Sequence, residues 1–312
     1  MDSNSLTFSA LCPPTLQQWK RIFQRARVEN WKVSHWNYFL LMSKLSYANA
    51  IVCSQTTNGQ EDYIGILIFV QPPAISVSYV GMYLVTEAYQ GQGIGGKMWQ
   101  MMKQHTDSGR TMALNAPEEM TKKYRAVDYP IAGETFHKIH GSVLQLQRAL
   151  ALFDTKSSTF FQVRRIAEKD AIAPVAKYDE EIVHFDRSQF WEQFFPLADG
   201  KVLIDGGGSV IAFGALFKTM VENVTRIGPV YADDIGKAIE LLRELVCDMK
   251  ETEYCITVPN NDFGNHMKDF LILKAECSLR PPLYRSYSRS FDYNFDWSKI
   301  FALSGHFAAP LL

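Results

Sequence analysis

The sequence has no long hydrophobic run. Its longest apolar stretches, residues 63–70 and 210–217, are far shorter than the roughly 20 residues that a membrane-spanning helix needs. The first ten residues include Asp2 and no basic residue ahead of an apolar core, which is not the pattern of a signal peptide. We therefore expect a cytoplasmic protein with no membrane partner.

An excess of either charge and a paired cysteine pattern are also lacking. Lys and Arg number 32 against 33 Asp and Glu, for a net charge of −1. Because a nucleic-acid binder normally carries a basic excess to offset phosphate charge, we expect no nucleic-acid partner. The cysteines are odd in number and include no CxxC pair, which favours reduced thiols over disulfides or zinc ligands. They are Cys12, Cys53, Cys247, Cys255 and Cys277.

What is present is an ordinary globular composition, with 47% hydrophobic and 21% charged residues. A length of 312 residues is enough for about two domains. Periodicity predicts a first half with helices at 15–27, 36–46, 97–106 and 118–127 and strands at 50–53, 63–71, 75–85 and 111–115. For residues 129–146 we expect two further strands.

The second half repeats this order of elements, which predicts an α+β protein built from two similar domains with mixed sheets flanked by helices. Predicted strands lie at 160–166, 201–205, 209–217, 223–227, 254–258 and 283–291, and predicted helices at 171–178, 188–195, 233–250 and 263–270. We place the domains at residues 1–153 and 159–312, with the boundary near 154–158. The stretch after Asp292 is left unassigned.

A glycine-rich turn joins the predicted strand 75–85 to the helix that follows it. Glycines allow a sharp turn and a close approach of the backbone to a ligand, and the amides at a helix N-terminus attract phosphate. The spacing fits neither the GxGxxG of a dinucleotide-binding fold nor the Gly-Lys-Ser/Thr of a P-loop. A phosphate cradle and a tight turn without a ligand both remain open. The turn is Gln90, Gly91, Gln92, Gly93, Ile94, Gly95 and Gly96.

This turn resembles the CoA-binding motif of the GNAT N-acetyltransferases, Gln/Arg-x-x-Gly-x-Gly/Ala, with Gln90, Gly93 and Gly95 at its defined positions. The resemblance implies that residues 90–96 hold the CoA pyrophosphate and that Leu84 and Val85 pair through their backbone with pantetheine. One residue departs from the family: Asp128 stands where glycine usually follows the tyrosine. Since Asp tolerates a left-handed backbone, we expect the turn to persist.

The second half resembles the C-terminal domain of tandem acetyltransferases of the bacterial YitH type, in which a complete GNAT domain precedes a degenerate one. The residues that carry this resemblance are Tyr178, Asp179, Arg187, residues 226–229, Ala232 and Asp233. Asp233 and Asp234 stand where phosphate would bind, and although both suit a helix N-cap, they would repel pyrophosphate. We therefore expect no CoA in this half, which would instead shape the acceptor pocket. Gly206–Gly208 joins strand to strand and predicts a hairpin.

Acyl transfer to an amine needs a donor for the departing thiolate and a way to remove the ammonium proton. By its place in the motif, Tyr124 is the candidate donor, with core packing as the alternative. Glu87 is the candidate base; a solvated surface carboxylate, with a water chain in its place, is the alternative. Asn115 would bind either pantetheine or a strand carbonyl. A backbone amide near Leu84 or Val85 would polarise the thioester carbonyl.

Two further sets of residues carry weaker signals. His137 and His140 lack the glutamate of an HExxH motif and lie in a β-like segment, so we expect no metal site. Trp31, Trp36 and Trp191 are candidates for lining an acceptor cleft. The sequence thus predicts transfer of an acetyl or short acyl group from acetyl-CoA to a primary amine, first of a small metabolite, with a protein acceptor as a second possibility. The alternative is a non-catalytic acyl-CoA-binding or scaffold protein.

Overall fold

The computed structural model describes residues 6–29, 35–57, 59–153, 161–166, 169–291 and 294–305. The expected domain boundary at 154–158 and the candidate Trp31 lie outside these ranges. In the first half, the elements are β1 (Leu6–Leu11), α1 (Leu16–Val28), α2 (Trp36–Lys44), β2 (Ala48–Thr57), β3 (Gln60–Val70), β4 (Val77–Val85), α3 (Ile94–Gln104), β5 (Thr111–Ala116), α4 (Glu118–Val127), β6 (Ile131–Ser142) and α5 (Val143–Leu152).

The second half repeats the first, as the pattern predicted. It comprises β7 (Phe161–Arg165), α6 (Lys169–Val183), α7 (Ser188–Phe194), β8 (Asp199–Asp205), β9 (Val210–Lys218), β10 (Val224–Ala232), α8 (Ile235–Val246), β11 (Glu253–Pro259), α9 (Asp262–Leu273), β12 (Ser278–Tyr287) and a short β13 (Ile300–Ala302). Local chemistry sets several boundaries. Helix α1, for example, begins at a capping box in which Thr15 and Gln18 bond each other's backbone.

The segment 129–146 differs from the expectation of two strands. It contains one strand, β6, and then the first turn of α5. The helix forms because Val143, Leu146 and Leu150 recur at helical spacing and pack in a core shared with α8. The unassigned C-terminal stretch contains a 3-10 turn at Trp297–Lys299 followed by β13.

The strands described form one mixed sheet in which the two halves interleave. The order is β1-β2-β3-β4-β5-β12-β6-β11-β10-β9-β8-β7, with β13 paired to β10. Strand β12 of the second half therefore lies between β5 and β6 of the first. Strand β6 in turn lies between β12 and β11. Each half is completed by a strand from the other.

Helices cover both faces of this sheet. Trp19, Phe39, Val175 and Phe190 belong to one core under α1, α2, α6 and α7, which we call the helix-pair face. The other face packs against α3 and α4 at one end and α5, α8 and α9 at the other. The predicted α+β fold, a mixed sheet flanked by helices, is confirmed. None of the helices in the described ranges has the length and hydropathy to cross a membrane.

Candidate functional site

Strands β4 and β5 separate near the middle of the first half. They pair in parallel only where Val77–Val80 lies beside Thr111–Leu114, although both strands continue further. A register shift against β3 marks a bulge just before Tyr83. Residues 81–85 of β4 therefore present an edge that β5 has left, and we call it the open edge.

Backbone alternation decides which groups face this edge. The amide of Thr86 donates to the carbonyl of Ile64 at 2.9 Å, and Leu84 lies opposite Ile66. Because hydrogen-bonded and non-hydrogen-bonded pairs alternate along antiparallel strands, the backbone of Leu84 points toward β3. The backbone groups of Tyr83 and Val85 point toward the open edge. Of the two residues predicted to meet pantetheine, Val85 thus has its backbone at the open edge and Leu84 does not. Tyr83, which the sequence analysis did not name, also has its backbone there.

The glycine turn, residues 90–96, follows the open edge and begins α3. Gly91 and Gly93 have φ of +76° and +78°, a conformation that favours glycine. Gly93 is the N-cap of α3 and supplies no capping side chain, so the first amides of the helix have no intrahelical partner. A Cβ placed at Gly91, Gly93 or Gly96 would meet no atom within 4 Å. The turn is therefore an accessible cluster of amides suited to an anion.

The other residues of the turn tie it to the strand. Gln90 Nε2 donates to the carbonyl of Val85 at 2.9 Å, and Gln92 Nε2 donates to the carbonyl of Ala88 at 3.2 Å. Ile94 is buried in the core beneath α3. A Cβ on Gly95 would lie 2.2 Å from the hydroxyl oxygen of Tyr83. Gly95 is therefore required by packing against the strand.

An aromatic cluster of Tyr83, Trp99, Tyr124 and Tyr129 lies beside the turn. The ring of Tyr124, on α4, stacks on Trp99 with centroids 5.5 Å apart and planes 13° apart. Burial, followed by the nearby Tyr83 phenol, raises the pKa of Tyr124 to about 12, so its hydroxyl stays protonated at neutral pH. No hydrogen bond to this hydroxyl is formed by the described residues. The structure thus brings the predicted proton donor near the turn.

Asp128 does not behave as expected. Its φ is −126°, so the left-handed backbone predicted at this position is wrong. Its carboxylate instead accepts hydrogen bonds from Trp99 Nε1 at 2.7 Å and from Lys103 Nζ at 2.9 Å. The carboxylate joins α3 to the end of α4 and fixes the indole on which Tyr124 stacks.

The two remaining candidates in this half have different surroundings. The side-chain oxygen of Asn115 accepts a 2.9 Å hydrogen bond from Nε of the buried Arg285 on β12, a partner that sequence reasoning did not identify. Glu87 begins a 3-10 turn and is exposed. It has no ion pair with any residue in the described ranges.

The corresponding opening in the second half is filled by the chain itself. Strands β10 and β11 pair only as far as Ile227 and Ile256. Strand β13 then pairs with β10, and the amide of Leu303 donates to the carbonyl of Thr257 on β11 at 2.9 Å. A Cβ on Gly228 would lie 2.0 Å from the carbonyl oxygen of Leu303. The C-terminal segment therefore occupies the position that is open beside β4.

Asp233 and Asp234 have structural partners at the start of α8. Asp234 caps the helix by accepting from the Lys237 amide at 2.8 Å, as expected for an N-cap. Asp233 Oδ1 accepts from the Tyr178 hydroxyl and from Lys299 Nζ, both at 2.9 Å. Lys299 belongs to the C-terminal segment, so Asp233 helps to hold that segment in place.

A buried ion pair lies beneath the same region. Arg187 Nε donates to Asp179 Oδ2 at 2.8 Å, and Trp191 Nε1 donates to the same oxygen at 2.8 Å. Both charged side chains are almost fully buried. This places Asp179, Arg187 and Trp191 in a structural network joining α6 to α7. Trp36, by contrast, packs against Phe23 of α1.

His137 and His140 lie on β6, as the β-like pattern predicted. Residues in the described ranges form no group of three or more His, Cys, Asp or Glu side chains able to hold a metal ion.

Comparison with protein families gives one match, to a family described as an acetyltransferase (GNAT) domain, over residues 175–273. An uncharacterized protein of Caenorhabditis elegans is 23% identical over 234 residues, which cover 74% of this chain and 73% of that protein. The matched domain is in the half whose opening is filled.

Solved structures resemble the whole chain. A putative acetyltransferase from Pyrococcus horikoshii aligns with a TM-score of 0.66 at 12% identity, covering 98% of this chain and 96% of that one. A tandem GNAT protein from the clavulanic acid biosynthesis pathway aligns with a TM-score of 0.63 at 13% identity, covering 92% of this chain and 100% of that one. At such identities the likeness shows the fold, including its duplication.

Proposed function

From the tandem GNAT fold of this chain, we propose that it is an acyl-CoA-dependent N-acyltransferase. It transfers an acetyl or another short acyl group from CoA to a primary amine, with a small metabolite as the first candidate acceptor. The observation that carries this proposal is the open edge of β4 directly followed by a glycine turn with accessible amides.

The residues of the first half fit CoA. The backbone of Tyr83 and Val85 would pair with the amides of the pantetheine arm, since these groups face the open edge. The amides at Gly93–Gly96 would bind the pyrophosphate at the N-terminus of α3. Gln90, which bonds the Val85 carbonyl, would release it when pantetheine takes its place.

The bound thioester supplies an activated acyl group. The acceptor nitrogen attacks the carbonyl carbon, the carbon–sulfur bond breaks, and its electron pair leaves on sulfur. The nitrogen loses a proton and the sulfur gains one. Tyr124 would donate that proton, because its raised pKa keeps the phenol protonated. A backbone amide at the open edge would polarise the carbonyl.

The proton on the attacking nitrogen needs an acceptor. Glu87 is the candidate, at the end of the open edge and in contact with solvent. Glu87→Gln tests this role: if Glu87 is the base, kcat falls while the affinity for acetyl-CoA is unchanged. An unchanged kcat would assign the step to water.

The second half would shape the acceptor pocket and bind no CoA. Its own C-terminal segment lies in the opening between β10 and β11, which supports this division of roles. Truncation at residue 160 cannot test it cleanly, because removing β12 would take a strand from the middle of the first half's sheet. Point substitutions in the intact chain are required.

The test is calorimetric titration with acetyl-CoA of the wild type, Gly93→Glu and a matched control, Gly109→Glu. Glutamate at Gly93 would introduce charge and strain into the cradle, whereas Gly109 is in a loop with open space around it. We expect one site per chain, lost only in Gly93→Glu. Two sites would contradict the assignment of the second half, and no binding would remove the acyltransferase proposal. Binding without turnover across a panel of amines would favour the non-catalytic alternative.

A further inference from the structure

Four basic side chains form a strip across the central strands of the sheet, on the helix-pair face. Lys138 on β6 lies opposite Arg280 on β12. Two residues further along β6, His140 lies opposite Cys255 on β11. Cys255 in turn pairs with Arg226 on β10. We call Lys138, His140, Arg226 and Arg280 the basic strip.

Register places these side chains on one face. Directly paired residues point to the same side of a sheet, and so do residues two apart on one strand. Phe136, two residues before Lys138, belongs to the core of the helix-pair face, whereas Ile139 belongs to the opposite core. Another cation adjoins the strip, since the Arg285 guanidinium lies 4.8 Å from the Phe136 ring centroid.

Like charges so arranged oppose one another. Burial, and then the neighbouring Arg226, lowers the pKa of Lys138. Burial, followed by Arg280 and Lys138, lowers the pKa of His140. Like charges directly opposite on adjacent strands destabilise a sheet. In the described part of the chain, Lys138, His140 and Arg280 form no ion pair.

Among the residues described, the two nearby carboxylates Glu134 and Glu253 form no ion pair with Lys138, His140 or Arg280. Glu253 is exposed and contributes only a minor attraction to His140. Glu134 is engaged by the Tyr287 hydroxyl, which donates to it at 2.7 Å, and lies 3.8 Å from Arg285. A bound anion would offset the positive charge of Lys138 and Arg280.

The strip lies at the level of the open edge. Tyr284 on β12 pairs with Ala116, the last residue of β5. Beyond this pair, β12 extends to Arg280 on the same side of the sheet on which β4 extends to Val85. Arg280 and Lys138 are two and three strands from β4. At about 4.8 Å per paired strand the separation would be about 10–15 Å, and it is larger here because β4 and β5 have separated at this level.

We propose that the acceptor carries a phosphate or carboxylate group, and that the basic strip binds this anion while the amine reaches the open edge, which lies beyond about 10–15 Å. The role of the amine in this inference rests on the proposed function, whereas the binding of the anion does not depend on it. It narrows the acceptor to an extended anionic amine and gives the second half a part in recognising it, through Arg226 and Arg280.

Anion binding is tested without CoA. The strip variant is Lys138→Met with Arg280→Gln. The control is Arg148→Gln on α5 with Lys274→Met at the C-cap of α9, an equal charge change at exposed positions of the opposite face. The midpoint of thermal unfolding is compared in sodium phosphate, in sodium glutarate and in sodium chloride at equal ionic strength. We expect phosphate or glutarate to stabilise the wild type and the control beyond chloride, and this excess to disappear in the strip variant.

The two anions identify the source of the charge, phosphate or carboxylate. No excess in the wild type, or an equal excess in the strip variant, would overturn the proposal. Should the double variant not fold, Arg280→Gln alone serves, because Arg280 is exposed. In turnover assays, loss of charge-assisted hydrogen bonds should raise KM for anionic acceptors by about tenfold or more. The kcat and the KM for acetyl-CoA should stay unchanged. If the protein did not bind CoA, the proposed function would be refuted, but the result on anion binding would still hold.

Discussion

The contact between Gly95 and Tyr83 allows a sharp test of why this position holds glycine. Alanine at Gly95 would place its Cβ 2.2 Å from the Tyr83 hydroxyl oxygen and 3.1 Å from Cζ. The ring has little freedom to move away, since it packs against Trp99 with centroids 5.4 Å apart. Overpacking of this kind costs about 1–3 kcal/mol, and alanine in a helix gains about 0.5–1 kcal/mol over glycine. We expect Gly95→Ala to lower the free energy of unfolding by about 1–2 kcal/mol.

Removing the hydroxyl should remove most of that cost. With Tyr83→Phe, the nearest remaining atom is Cζ, a distance that a small shift of the ring can relieve. Gly95→Ala should then be close to neutral, so the two substitutions should couple by about 1–2 kcal/mol in a double-mutant cycle.

The measurement is urea unfolding followed by tryptophan fluorescence for the four proteins of the cycle. Gly96→Ala is the matched control, because its Cβ would meet nothing within 4 Å in the same helical turn. It should not weaken the protein in either background. An equal cost of Gly95→Ala with and without Tyr83→Phe would refute the reasoning from this contact.

Three further outcomes are expected. Asp179→Asn should destabilise the protein by about 3–5 kcal/mol in urea unfolding, because it leaves Arg187 buried without its counter-charge; a cost below about 1 kcal/mol would contradict the burial of the pair. Gly228→Ala should loosen the C-terminal segment, since its Cβ would collide with the Leu303 carbonyl, and faster amide exchange at Leu303 would reveal it; unchanged exchange would count against this contact. The pKa of Tyr124 is about 12, and the phenol loses its proton only as the pH passes that value. Wild-type turnover should therefore not fall between about pH 7 and about pH 10 through deprotonation of Tyr124. Tyr124→Phe should lower kcat and leave the affinity for acetyl-CoA unchanged.

The repetition of elements could be predicted because it depends on local information. Apolar periodicity and turn residues are properties of short segments, and they gave the same order of helices and strands in both halves. The glycine turn belongs to the same class. Positive φ at Gly91 and Gly93 and the N-cap of α8 at Asp234 follow from what those residue types allow.

The site was predictable only in outline. Leu84 and Val85 were chosen together, but hydrogen-bond alternation against β3 turns Leu84 away from the open edge and brings in Tyr83. Asp128 does not have the expected left-handed backbone, and its carboxylate accepts hydrogen bonds from Trp99 and Lys103. Neither outcome can be predicted from a motif, because each depends on a neighbour brought close by folding.

The sequence by itself determined the duplicated order of elements, the position of the glycine turn and the candidates around it, since all of these follow from residue type and short-range spacing. Tertiary structure alone decided that β6 and β12 exchange places between the halves and that β13 fills the second opening. These are pairings between segments far apart in the chain, and a strand's own sequence does not specify which distant edge it will join. The same pairings bring Lys138, Arg226 and Arg280 together on one face, so the basic strip exists only in the folded protein.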